Sequence, residues 1–246
     1  LARALSAKAR VVCPDVVGRG QSDWLADPMG YQIPLYAADM LPLLAQLHHQ
    51  GPVATLDWVG TSMGGLIGMV IAGQPGLPLP VPVRRLVLND VGPVVQWSAL
   101  QRIGQYLGQP VHFESLQHAL WAISRSFGPH APEQWLALSR AMVRAVPAGG
   151  FTLHYDPAIA EPFNALTQES ALAGEALLWQ LYDHITAHTL LLRGAQSDLL
   201  SRETAQAMEH RGPHARLVEF EQVGHAPTLM AADQVELLKM TVAGAA

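Results

Sequence analysis

Short apolar runs alternate along this chain with stretches whose apolar residues recur at helical spacing, and the alternation reads as an order of elements. A helix-like Leu1–Lys8 runs straight into Arg10-Val11-Val12-Cys13, which predicts a strand. Tyr36, Met40, Leu43, Leu44 and Leu47 lie on one helical face and predict a helix over Tyr36–His48, stopped at Gln50-Gly51-Pro52. The apolar run Leu56–Val59 predicts a second strand, and a small-residue helix pattern follows from Gly65 to Ala72. After a proline-rich loop over Pro75–Pro82, Arg85–Asp90 predicts a short buried strand, with Gly92-Pro93 beyond it.

The texture changes from Val94 to about Ala187. Helical patterns such as Leu116–Phe127 and Pro132–Val146, tryptophans at 97, 121, 135 and 179, and repeated Gly/Pro breaks fill this stretch, and no strand is predicted in it. Strand signals resume at His188–Arg193. They lead through Gly194-Ala195-Gln196-Ser197-Asp198 into a helix over Ser201–His210, capped by Ser201. A strand at Ala215–Phe220, the loop Gly224-His225 and a helix over about Asp233–Thr241 complete the chain. Each strand ends in a polar loop and each loop enters a helix. That rhythm predicts an α/β protein with a mostly parallel sheet covered on both faces, its sites at the carboxyl ends of the strands. The expected division is a core over 1–93, a helical insertion over 94–187 and a second core part over 188–246.

Composition narrows the function classes. The 246 residues, 50% hydrophobic, are enough for one large core with an inserted subdomain. A net charge of −5 with 15 scattered basic residues argues against a nucleic-acid surface. Cys13 has no second cysteine to pair with; in its apolar run it reads as a buried free thiol, which suits a reducing, cytoplasmic setting. No apolar run is long enough for a membrane span. The sequence gives no sign of the oligomeric state.

Chemistry concentrates at Gly60-Thr61-Ser62-Met63-Gly64, a G-x-S-x-G motif between a strand and a helix. A serine on such a sharp turn keeps its hydroxyl exposed at the sheet edge. The close approach of strand and helix is expected to bar side chains two positions before and after it, at Gly60 and Gly64. The glycine-rich loop Pro14–Asp23 has carboxylates and amides placed to brace one another. His184 and His188 are four apart, yet no glutamate follows His184 and a strand begins at His188, so no metal site is expected. His48 and His49 read as solvated, and no cofactor is implied.

These motifs, in this order, resemble the α/β-hydrolase fold over nearly the whole chain. Gly60–Gly64 is similar to the nucleophile elbow of that family, and Asp15–Asp23 to its D-x-x-G-x-G-x-S-D loop. The resemblance implies a triad of Ser62, an acid at Asp198 after the penultimate strand, and His225 after the last. Asp90 is the rival acid, because it too ends a strand and some members place the acid there; Asp198 is favoured. The backbone N–H of Met63 would be one oxyanion donor. The second donor is expected from a loop near a His-Gly pair, and no such pair precedes Ser62. With Arg10–Cys13 taken as the family's fourth strand, the third would be absent, so the chain reads as N-terminally truncated. The insertion resembles the family's helical cap. The implied function is a serine hydrolase of small or medium apolar esters acting through an acyl-enzyme. A carbon–carbon bond hydrolase of the same fold and an inert, non-catalytic fragment remain as alternatives. Epoxide hydrolases and dehalogenases are disfavoured, since their nucleophile is an aspartate where Ser62 stands.

Overall fold

The computed structural model of the chain describes residues 1–124 and 131–243. In chain order the described helices and strands are α1 (Ala2–Leu5), α2 (Ile33–Gln50), β1 (Leu56–Thr61), α3 (Met63–Gly73), β2 (Val83–Asn89), α4 (Trp97–Tyr106), α5 (Leu116–Ser124) and α6 (Pro132–Met142). They continue with β3 (Val143–Ala145), β4 (Phe151–Leu153), α7 (Ala160–Asn164), α8 (Gln168–Asp183), β5 (His188–Gly194), α9 (Arg202–Glu209), β6 (Arg216–Phe220) and α10 (Ala232–Ala243). The expected helix pattern over Leu116–Phe127 extends in part into residues outside those described.

Two compact units form. One comprises Gln32–Arg102 and Ala165–Pro227 and holds a parallel sheet in the order β1-β2-β5-β6. The register is set by pairs such as Val59 with Val87, Val87 with Leu190, and Leu191 with Leu217. Leu86, Val87, Leu88, Leu191 and Leu192 on the two central strands are fully buried. A strand covered on both faces has no solvent side, which is why these runs read as continuously apolar rather than alternating. Helix α3 packs on β1 and β2, α2 and α8 pack on α3, and α9 packs on β6. The predicted strands at Leu56, Arg85, His188 and Ala215 and the helices at Tyr36, Gly65 and Ser201 are all found, with ends shifted by a few residues. Ser201 caps α9 as expected, its hydroxyl accepting the Thr204 N–H.

The other unit comprises Leu1–Tyr31, Ile103–Asn164 and Thr228–Ala246. Its core gathers Phe113, Ala119 and Val143, with Leu116, Met142 and Phe151 packed around them. Contrary to expectation, this stretch contains strands: β3 and β4 pair antiparallel, Val143 opposite Leu153, and Phe113 and Phe151 exchange backbone hydrogen bonds of 2.8 Å. Helix α6 therefore ends at Met142 and not at Val146. The loop near the start of the chain braces itself as the sequence suggested. Asp15 accepts the Gln21 N–H, the Ser22 hydroxyl donates to the Asp15 carbonyl, and Gly18 N–H donates to the Asp23 carbonyl. Tyr31 donates to the buried carboxylate of Asp156 at 2.6 Å.

Three expectations need correction. Arg10–Cys13 is not a strand: it belongs to neither sheet, and an apolar run becomes a sheet element only by joining one. Cys13 in the same run is exposed, not buried. The compact units also divide the chain differently from the expected 94 and 187, because α8 packs on α3 and belongs with the sheet.

Candidate active site

The site grows from the carboxyl ends of neighbouring strands. Strand β1 ends at Thr61 and the chain turns at once into α3, leaving Ser62 at φ 50° and ψ −119°. Left-handed backbone at a non-glycine residue is strained, and the surroundings must hold it there. Part of that hold is the Ser62 N–H, which donates to the Asn89 carbonyl at 3.0 Å. A Cβ at Gly60 would lie 2.2 Å from the Gly64 carbonyl, so the strand and helix do approach as closely as the motif implied. Gly64 itself is a correction: a Cβ there would meet open space, whereas one at Gly65 would strike Val91 at 2.4 Å. The bare face of α3 is thus displaced by one residue from the second glycine of the motif.

Strand β2 ends at Asn89, and Asp90 follows with φ 58°. Its side chain is fully buried, and its N–H donates to the Leu192 carbonyl of β5. One carboxylate oxygen accepts the Gly194 N–H at 2.8 Å; the other accepts the Ser197 hydroxyl and His225 Nδ1–H, each at 2.6 Å. His225 in turn places Nε2 3.0 Å from the Ser62 hydroxyl. A carboxylate oxygen only accepts, so Nδ1 carries the proton and Nε2 is left with a lone pair facing Ser62. Ser62, His225 and Asp90 therefore form one unbroken line of hydrogen bonds.

The structure does not bring Asp198 into that line. Its side chain is 52% exposed and its carboxylate is held by Arg102, with contacts of 2.8 and 3.1 Å. The expected acid is corrected in favour of its rival: Asp90, not Asp198, bonds to His225. The physical reason is direction. Both residues follow a parallel strand, but only Asp90 turns inward to buried donors at the end of β5.

The loop bearing His225 is tied down from two sides. Asn89, fully buried, donates from Nδ2 to the Pro227 carbonyl at 2.7 Å and to the Thr61 hydroxyl at 2.8 Å. Gln196 N–H donates to the Val223 carbonyl, and a Cβ on Gly194 would lie 2.3 Å from the Gly224 carbonyl. Sequence reasoning missed Asn89 and Ser197. The signal for Asn89 was its polarity at the end of an otherwise apolar strand, where a buried Nδ2 needs acceptors; its Oδ1 has no partner among the described residues.

Met63 is the first residue of α3, and the leading N–H groups of a helix lack intrahelical partners, so its N–H is disposed to act as a donor. His48 Nδ1 accepts the Val53 N–H, His184 Nδ1 lies 2.8 Å from the Gln180 carbonyl, and His188 opens β5 at an exposed position. Among the described residues no group of three or more His, Cys, Asp or Glu side chains is placed to hold a metal ion. No helix among them is long and apolar enough to cross a membrane.

Comparison with known proteins gives the chain its family. The sequence pattern of the family described as alpha/beta hydrolase matches residues 1–237. The 3-hydroxybutyrate-oligomer hydrolase of Cupriavidus necator is 49% identical over 251 residues, spanning 100% of this chain and 83% of that protein. The crystal structure of an alpha/beta hydrolase from Novosphingobium aromaticivorans superposes with a TM-score of 0.79 at 35% identity, covering 96% of this chain and 83% of that one. Esterase Rv0045c of Mycobacterium tuberculosis superposes with a TM-score of 0.64 at 26% identity, covering 93% of this chain and 72% of its own.

Proposed function

Because the chain belongs to the alpha/beta hydrolase family, we propose that it cleaves carboxylic esters with Ser62 as nucleophile, His225 as general base and Asp90 as the acid that orients it. The observation that carries this reading is the line of hydrogen bonds from Asp90 through His225 to Ser62, at 2.6 and 3.0 Å. Serine is a weak nucleophile at its free pKa, so Nε2 takes the hydroxyl proton as Oγ attacks the ester carbonyl. The negative oxygen of the tetrahedral intermediate needs N–H donors, and that of Met63 is one. As the intermediate collapses, His225 returns the proton to the departing alkoxide, the alcohol leaves, and the acyl group stays on Ser62. Water then repeats the attack with His225 as base, releasing the carboxylic acid and restoring the hydroxyl. Asp90 holds the imidazole in one tautomer and stabilises its cation during both steps.

The relative from Cupriavidus necator supports a narrower substrate class, oligomers of 3-hydroxybutyrate. Such a chain offers an ester at each repeat and carries a carboxylate at its acid end, so it is less apolar than the small esters expected from the sequence. The test compares 3-hydroxybutyrate dimer and trimer with p-nitrophenyl esters and a vinylogous 1,5-diketone. We expect turnover of the oligomers, labelling of Ser62 by a fluorophosphonate, and loss of both in Ser62→Ala. Preference for the diketone would replace ester cleavage by carbon–carbon cleavage. Labelling elsewhere, or turnover kept in Ser62→Ala, would remove the nucleophile assignment altogether.

A further inference from the structure

We propose that Ser197 is a positioning residue for the reaction, acting through Asp90; this rests on the triad reading above. Ser197 lies in the turn between β5 and α9, a turn fastened by Ala195 N–H to the Phe220 carbonyl, Gln196 N–H to Val223 and Ser197 N–H to Gly194. Its hydroxyl has one proton and two lone-pair directions. The lone pairs face the N–H groups of Leu199 and Leu200, at 3.3 and 3.1 Å. The proton is thereby aimed at Asp90 Oδ2, at 2.6 Å.

That aim fixes the carboxylate in a way Gly194 cannot. The Gly194 N–H grips Oδ1 alone, and about that single contact the group can pivot. The same Oδ2 that receives Ser197 also receives His225 Nδ1–H, so the serine sets where the imidazole finds its acceptor. Without it, Oδ2 has His225 as its remaining donor and follows the ring instead of directing it. The effect belongs on kcat, because the imidazolium that Asp90 stabilises exists only once the chemical step begins.

The experiment is a double-mutant cycle on the full chain, with 3-hydroxybutyrate dimer or p-nitrophenyl acetate as substrate. Ser197→Ala is expected to lower kcat by about 10- to 100-fold with KM little changed, the range for a lost hydrogen bond to a charged group. Ser197→Thr keeps the hydroxyl and is expected to restore most of the rate. In an Asp90→Asn background, Ser197→Ala should change kcat by less than about twofold, since the group it acts through is gone. Full activity in Ser197→Ala, a loss that threonine does not restore, or an equal loss in both backgrounds would overturn the inference while leaving the triad in place. Full activity in Asp90→Asn alone would overturn the triad reading, and this inference with it.

Discussion

Two turns of the sheet unit, the one after β2 and the one after β5, each follow a buried parallel strand and each offer an aspartate. At the first, Asp90 is fully buried, sits in left-handed backbone and accepts hydrogen bonds from Gly194, Ser197 and His225. At the second, Asp198 is half exposed and faces one arginine across solvent-accessible surface. A carboxylate buried among fixed donors is oriented; one in water with a long arginine partner is merely neutralised. The lesson is that a strand end selects candidates, while the donors arranged around a carboxylate select the one that can direct a histidine.

The largest expected effect separates the two turns directly. Asp90→Asn should lower kcat by about 10⁴-fold, as tautomer control of the histidine is lost, whereas Asp198→Asn should change it by less than about threefold. Ester kinetics on the purified variants decide it. If Asp198→Asn proves the more damaging, the assignment of the acid is reversed.

A smaller effect is expected one residue earlier. Asn89→Ala removes the donor to Pro227 and Thr61 and leaves a buried carbonyl unpaired, at a cost of about 1–3 kcal/mol in unfolding free energy. Urea denaturation would measure that cost, and a midpoint equal to that of the parent would show that the tie holds nothing together.

Acid pH should loosen the second turn. The Glu219 carboxyl is held below its usual value chiefly by its hydrogen bond from Arg202, opposed by burial and reinforced by Arg193. Arg193 also donates to the carbonyls of Leu200 and Ala195, so Glu219 anchors the arginine that braces this turn. A lowered folded-state value means that the stabilisation is complete above the unfolded glutamate value of about 4.3 and disappears as pH falls through the folded one. The Tm difference between the parent chain and Glu219→Gln should accordingly be present at neutral pH and shrink as the pH is lowered past the unfolded value and on through the folded one. A difference that persists unchanged in acid would disconnect it from the carboxylate.

The smallest effect belongs to the pair on Asp198. Arg102→Ala should cost about 0–1 kcal/mol, and added salt should shrink the difference further. A cost of several kcal/mol would mean that this turn is held as firmly as the other.

How much of this was legible follows from which interactions are local. Gly60–Gly64 lies within one strand–turn–helix, so its steric logic is written in adjacent residues, and Ser62 could be named from them. His225 was legible as the one histidine in a glycine loop after the last strand. The choice between Asp90 and Asp198 was not, because it depends on the Gly194 N–H and the Ser197 hydroxyl, more than a hundred residues from Asp90 along the chain. Strands β3 and β4 are three residues each, too short to show an alternation, and are stabilised by pairing with one another. Arg10–Cys13 erred the other way: an apolar, β-branched run has the composition of a strand but needs a neighbour to become one.

The backbone at Ser62 and Asp90 carries a consequence for anyone who evolves this protein in the laboratory. Both residues lie at positive φ, where a side chain costs on the order of 1–3 kcal/mol and glycine costs far less. At Asp90 the three hydrogen bonds that its buried carboxylate accepts oppose such a change, so a library selected for heat resistance alone would drift toward glycine at 62. The survivors would be sturdier proteins with no nucleophile at the turn. Stability screens on this chain therefore have to be coupled to turnover, since the residue proposed as its nucleophile is one its fold would gain by giving up.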